Sequence, residues 1–308
     1  MRAAFDLGGT NIKVGIVSDG VLLKIGSVET DNEAGILANL NKATGLLRDK
    51  CNEDMELLGI AVPGIVDIEN RRITSANAKF ADAVGFDFQK WCLEELGCPL
   101  VMDNDANAAL IGEASRGCAR GEDNVVMMIL GTGIGTAAII NGRPIRGKHY
   151  QAGILGGHFV ADIHGEACTC GGRGCLETMA GSRELERSVS RMEGYLGSRL
   201  SKCSQVGMKE IIECMEEGDI FSKRAFEMAI EVYSAGITNL VHAYDPEVIV
   251  LSGGVMKGRN KILPAIQRSV EGRTWTPWGK LRFHVADDPD SSVLLGLQTL
   301  MEESKDGL

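Results

Sequence analysis

His158 is followed ten positions later by Cys168-Thr169-Cys170-Gly171-Gly172-Arg173-Gly174-Cys175. One imidazole and three thiolates make the Cys3His set of a closed, tetrahedral structural zinc site. Gly171, Gly172 and Gly174 let so short a stretch fold tightly enough to aim Cys170 and Cys175 at one ion. A reduced thiol cluster or a disulfide is the alternative chemistry, and the four-ligand set is preferred to it.

A second chemistry is written in glycine turns. Asp6-Leu7-Gly8-Gly9-Thr10-Asn11-Ile12-Lys13, Gly131-Thr132-Gly133-Ile134-Gly135 and Ser252-Gly253-Gly254 each follow an apolar run. A nucleoside triphosphate needs backbone N–H groups that approach its oxygens closely, hence glycine, and often a hydroxyl donor. Neither a P-loop nor a dinucleotide fingerprint fits these turns. One such turn alone would be an ordinary tight hairpin. Three of them, two being copies of one pattern, point to a phosphate-binding site for a triphosphate. Asp6, closing the first run, is then placed to hold Mg²⁺ through water, because Mg²⁺ dehydrates reluctantly.

The elements that must position these groups alternate between strand and helix. Strands are expected at Arg2–Asp6, Lys13–Val17 and Val21–Val28, with the hairpin turn Ser18-Asp19-Gly20 between the last two. A helix over Ala34–Lys50 precedes a strand over Leu57–Val62, which Pro63-Gly64 ends. The strand Leu100–Met102 runs into Asp103-Asn104-Asp105, a cap-type cluster opening a helix through Ala114. The pattern Phe5-Asp6-Leu7-Gly8-Gly9-Thr10 then returns as Met128-Ile129-Leu130-Gly131-Thr132-Gly133. That spacing suits a duplicated domain rather than a solenoid. A long helix over Phe221–Tyr244, a strand over Val248–Leu251, a helix over Lys261–Val270, a strand over Leu281–Val285 and a last helix from Ser292 follow. The class is α/β, with two domains expected.

Bulk properties set outer bounds. The chain has 308 residues, 44% apolar and 24% charged, with a formal net charge of −10. That acidic balance argues against a nucleic-acid partner. The N-terminus, Met1-Arg2-Ala3-Ala4-Phe5-Asp6, carries an acid where a signal peptide needs an apolar core. The apolar run Val125–Ile140 is interrupted by Gly131, Gly133 and Gly135 and is too short to span a bilayer. The six cysteines outside the cluster read as reduced, buried thiols, so a soluble, cytoplasmic protein is expected without a membrane partner.

Taken together, the Asp6–Lys13 turn, Val62-Pro63-Gly64, Asn77, Asp103-Asn104-Asp105-Ala106-Asn107, the Gly131–Gly135 turn, the His158/Cys168–Cys175 clip and Asp245-Pro246-Glu247 leading to Gly253-Gly254 resemble the ROK family of sugar kinases and related repressors. The zinc pattern ending in Gly174-Cys175-Leu176-Glu177 is the most specific part. The resemblance implies two actin-like (ribonuclease H-like) α/β domains with a cleft between them, usually in a homodimer. It implies a domain over residues 1–115, with a C-terminal helix at 291–308 packing back on it, and a larger one over 116–290 carrying the clip. It also implies transfer of the ATP γ-phosphate to a sugar hydroxyl, most often O6 of a hexose or N-acylhexosamine. Asp105 then matches the general base, and Asn104 binds the sugar beside it. Asn77, His158 and Glu177 match other sugar contacts, His158 serving zinc as well, and the adenosine lies near Gly253-Gly254. Taken alone, Asp105 would read as a helix N-cap and Glu177 as a surface acid.

One position departs from the family pattern. Ala-Gly-Glu-x-Gly-His normally precedes the clip, and its Glu grips sugar hydroxyls. Here the segment reads Ala152-Gly153-Ile154-Leu155-Gly156-Gly157-His158, which puts Leu155 or, in another alignment, Ile154 at the Glu position. Loss of a hydroxyl acceptor changes which sugar is accepted. A repressor of the same family would need a DNA-binding module ahead of Asp6. A non-catalytic sugar-binding relative is the other rival, and the presence of Asp6, Asp105 and the glycine turns argues against it.

Overall fold

Leu57–Val62 is buried at every position, as is Val248–Ser252. Such unbroken burial, apolar but for Ser252, suits strands covered on both faces, the situation of central parallel strands. The computed structural model describes residues 1–18, 20–76 and 80–306. It divides the chain into two units: Met1–Gly121, Pro144–Ala152 and Ala286–Leu308 form one, Glu122–Arg143 and Gly153–Val285 the other.

The first unit contains β1 (Arg2–Leu7), β2 (Asn11–Ser18), β3 (Val21–Glu29), α1 (Gly35–Lys50), β4 (Leu57–Val62), β5 (Ile65–Asp67), β6 (Arg72–Ser75), α2 (Phe88–Leu96), β7 (Leu100–Asn104) and α3 (Asp105–Ser115). Its main sheet runs β3-β2-β1-β4-β7. β1, β2 and β3 pair antiparallel, whereas β4 and β7 lie parallel to β1. Ala3, Phe5, Leu7, Ile60, Val62, Leu40, Leu47 and Trp91 belong to its core.

The second unit repeats the plan. β8 (Val125–Leu130), β9 (Ile134–Ile140) and β10 (Arg143–Pro144) lead to α4 (Leu176–Ala180), α5 (Ser182–Ser190), α6 (Met208–Glu216) and α7 (Ile220–Tyr244). β11 (Val248–Ser252), α8 (Arg259–Glu271) and β12 (Arg282–Val285) complete it. The sheet order β10-β9-β8-β11-β12 copies the first, with an antiparallel β8–β9 pair and parallel β11 and β12.

The last helix, α9 (Pro289–Asp306), returns to the first unit and lies against α3. Gly112 and Gly296 make this approach possible, because a Cβ at either would overlap a carbonyl oxygen of the other helix, that of Ser292 or Ala108. Glu113 and Ser292 are hydrogen-bonded across the seam, and Ser115 Oγ lies 2.9 Å from Thr299 Oγ1.

The strands and long helices read from periodicity are present, with β2 beginning at Asn11 rather than Lys13. Asp19, in the expected hairpin turn, lies outside the described residues. The short elements α4 to α6 and the ribbon of β5 and β6 carry too few residues for a period to show.

Candidate active site

In the first unit, Asp6 and Lys13 are direct cross-strand partners on β1 and β2. Lys13 Nζ donates to Asp6 Oδ2 at 3.1 Å and meets Asp290 Oδ1, from the first turn of α9, at 3.0 Å. Burial pushes the Asp6 carboxyl above its ordinary value, and the Lys13 ammonium opposes that shift. The turn between the strands is held through its carbonyls. Thr30 donates its Oγ1–H to Gly8 O at 2.7 Å and its N–H to Thr10 O at 2.9 Å, and Asn32 Nδ2 reaches Gly9 O at 3.4 Å. Gly8 has no room for a Cβ, which would stand 2.6 Å from Asn11 O. Thr10 and Asn11 are exposed. Asp290 gives no signal in the sequence, since nothing local ties the start of a C-terminal helix to a distant Gly-Gly turn.

At the carboxyl end of β7, the cap of α3 is Asn104, not Asp105. Asn104 Oδ1 accepts the N–H groups of Ala106 and Asn107 at 2.9 and 3.2 Å, and its Nδ2 donates to Gly64 O at 2.9 Å. Asp105 is therefore the first helical residue, half-buried, its Oδ1 accepting the Ala106 N–H at 2.9 Å. Asp103, one residue before the cap, is buried; burial raises its carboxyl above the ordinary value, and Arg146 opposes the rise. Asn77 lies outside the described residues.

In the second unit, the β8–β9 turn closes with Gly131 N–H donating to Gly133 O at 3.0 Å. The start of α5 anchors it: Ser182 N–H donates to Gly131 O at 3.0 Å and Arg183 N–H to Thr132 O at 3.1 Å. Glu177, on α4, accepts the Ile134 N–H through Oε2 at 2.9 Å. A Cβ on Gly133 would overlap that carboxylate oxygen. Gly253, at φ 95°, ends the neighbouring strand β11, with no space for a side chain against the Leu130 backbone. The Gly131 and Gly253 turns thus sit together at the carboxyl ends of adjacent parallel strands, where open α/β sheets bind ligands.

The thiol cluster has the dimensions of a metal site. The ligand atoms of His158, Cys168, Cys170 and Cys175 lie within 4.8 Å of one another. Cys170 and Cys175 sulfurs are 3.7 Å apart, and Cys168 Sγ is 3.5 Å from His158 Nδ1. A tetrahedral ion with Zn–S of about 2.3 Å and Zn–N of about 2.0 Å requires edges of about 3.8 and 3.5 Å. A disulfide would need about 2.05 Å. The residues therefore fit zinc. A small hairpin carries them, with Cys168 N–H donating to Gly172 O at 2.9 Å and positive φ at Gly171 and Gly174. Cys175 is also the cap residue of α4, so the cluster sets the helix that bears Glu177.

The two candidates for the altered position differ in exposure. Ile154 is 8% exposed and Leu155 37%. Thr136 fixes the segment, donating its hydroxyl to Gly153 O at 2.6 Å and accepting the Gly156 N–H at 2.8 Å. Leu155 is the outward-facing residue.

Two sheets of one topology, each with a glycine turn between its first two strands, place the chain in the actin-like ATPase fold class. It matches the ROK family over residues 2–304 and belongs to that family. The glucokinase of Thermotoga maritima is 29% identical over 272 residues, spanning 86% of this chain and 85% of that protein. The crystal structure of a ROK hexokinase from Thermus thermophilus superposes with a TM-score of 0.78 at 29% identity, covering 99% of each chain. A ROK glucokinase from Streptomyces griseus, crystallised with glucose and AMPPNP, gives 0.79 at 27% identity over 97% of this chain and 98% of that one.

Proposed function

We propose that this protein is an ATP-dependent sugar kinase that transfers the γ-phosphoryl group to a hydroxyl, O6 of a hexose or N-acylhexosamine, with Asp105 as general base. The carrying observation is the β7–α3 junction. Asn104 performs the capping, and the Asp105 carboxylate stands directly after it on the first turn of α3. Phosphoryl transfer asks a protein for positioning, charge stabilisation and a carboxylate at the attacking hydroxyl. Asp105 accepts the hydroxyl proton as the oxygen attacks phosphorus, and ADP leaves. The turns at Gly8–Thr10, Gly131–Gly133 and Gly253-Gly254 hold the nucleotide. Asp6 would hold Mg²⁺ through water; a bound Mg²⁺ supplies charge neutralisation at the phosphates. His158, Asn104, Asn77 and Glu177 line the sugar in this reading. Zinc at His158 and the three cysteines is structural. The homodimer and the cytoplasmic setting belong to the same proposal and rest on the family resemblance.

Leu155 favours a sugar whose face at this point carries an apolar or acylated substituent over plain glucose. That same residue is what a non-catalytic relative would offer, so the base must be tested directly. Asp105→Asn should lower kcat by about 10²- to 10⁴-fold with sugar affinity within a few-fold of wild type. Near-normal turnover in that variant would remove Asp105 from the mechanism.

A further inference from the structure

Arg146 stands on the stretch Pro144–Ala152, which belongs to the first unit although it lies between two segments of the second. Gly147 follows it at φ 66°, and Ala152 N–H donates to Arg146 O at 3.1 Å, closing a loop whose first residue is the arginine. Its guanidinium grips Asp103 with both prongs: Nη1 donates to Oδ1 at 2.9 Å, and Nη2 meets Oδ2 at 2.6 Å. The side chains are 17% and 2% exposed. Oδ2 has no hydrogen bond of good geometry, so the ion pair is its compensation inside the protein. Oδ1 works harder, accepting the Asn104 N–H at 2.7 Å and the Asn107 Nδ2–H at 3.2 Å as well.

These bonds surround Asp105. Asn104 precedes it, Asn107 stands one half-turn beyond, and both are tied to the same carboxylate. We infer that Arg146 is a positioning residue for the phosphoryl transfer, holding the Asp103 carboxylate in place so that Asp103 can fix the residues on either side of Asp105. The inference rests on the kinase reading above. A buried carboxylate deprived of its cation takes up a proton or moves toward water. Either response removes acceptor capacity from Oδ1 and loosens the start of α3. Arginine suits the task better than lysine, because its planar fork meets both carboxylate oxygens at once.

The test uses Arg146→Ala and Arg146→Lys in the full chain, with two readouts. Hydrogen exchange should show the amides of residues 103–107 exchanging at least about 10-fold faster in Arg146→Ala, with the rest of the first unit unchanged. Turnover should fall by about 10- to 100-fold, as for a misplacement of the base on the ångström scale, with the KM for ATP nearly constant. Millimolar free guanidinium should restore part of the lost kcat, and Arg146→Lys should fall between wild type and Arg146→Ala. Unchanged exchange at 103–107, or wild-type kcat in Arg146→Ala, overturns the inference. So does a loss shared equally by kcat and ATP affinity that guanidinium leaves untouched. If Arg146→Ala does not fold, Arg146→Lys takes its place: faster exchange with reduced kcat supports the inference, and wild-type values of either overturn it. A wild-type protein that phosphorylates no sugar sinks the kinase reading instead, and the exchange result then decides alone whether Arg146 orders the start of α3.

Discussion

Gly133→Ala should separate the phosphate-turn reading from an ordinary hairpin. A Cβ at this position would overlap Glu177 Oε2 and come within 2.9 Å of its Cδ. Ordinary contact needs about 3.4 Å or more, so the carboxylate must withdraw and give up the 2.9 Å bond from Ile134 N–H. A hydrogen bond to a charged group contributes about 1.5–3 kcal/mol. That loss appears as lower stability; if the turn holds the triphosphate, its misplaced amides should also weaken nucleotide binding by about 10-fold or more, the equivalent of about one hydrogen bond at 1.4 kcal/mol per decade. Gly133 does not sit at positive φ, so the substitution adds no left-handed strain. Calorimetric titration of AMPPNP with Mg²⁺ reads the effect, alongside the melting temperature. Glu177→Gln is the control, since its amide oxygen can keep the bond at reduced strength. An AMPPNP affinity within two-fold of wild type in Gly133→Ala, with Glu177 displaced, would refute the role of this turn.

Cys170→Ser should release the metal, from one zinc per chain to none by elemental analysis. The melting temperature should drop by more than about 5 °C, since a structural metal site contributes folding free energy. Unchanged metal content and melting would count against the clip. Asp6→Asn should abolish Mg²⁺-dependent turnover while leaving the melting temperature unchanged or higher. The sign follows from the raised carboxyl of Asp6: the folded protein holds that proton more tightly than the unfolded chain, so its contribution is present at low pH and lost as pH rises above the ordinary value of 3.8. The advantage of the variant should therefore be absent below pH 3.8 and grow as the pH is raised from there, and a variant less stable than wild type at neutral pH would show that the carboxylate is a structural ion-pair partner. Leu155→Glu should move the ratio of kcat/KM toward plain hexoses by about 10-fold or more; an unchanged ratio would place residue 155 away from the sugar.

The duplicated plan was readable because β1 and β8 end in the same Gly-Thr chemistry, and because strands such as Leu57–Val62 and Val248–Leu251 are continuous runs without a charged or polar side chain. The clustering of His158 with the three cysteines was readable for a related reason: three thiols and their glycines lie within eight residues, so local spacing carries the geometry. What escaped depends on distant partners. Arg146 matters through Asp103, 43 positions away, and Asp290 through Lys13 at the other end of the chain. No periodicity marks either pair; only the burden of a buried carboxylate signals that a cation must come from somewhere. That Leu155 is exposed and Ile154 buried likewise needed the backbone, because local spacing before His158 does not show which side chain turns outward. The assignment of Asn104 as cap was hidden by three consecutive residues that all cap well.

The most direct measurement is ADP release with Mg·ATP across aldohexoses, ketohexoses, N-acylhexosamines and cyclitols, using zinc-loaded protein. The account predicts one clear substrate class, sugar-dependent and lost in Asp105→Asn, with an acylated or otherwise substituted sugar ahead of glucose. Protein that binds ATP and zinc yet releases no ADP with any of these acceptors would contradict it.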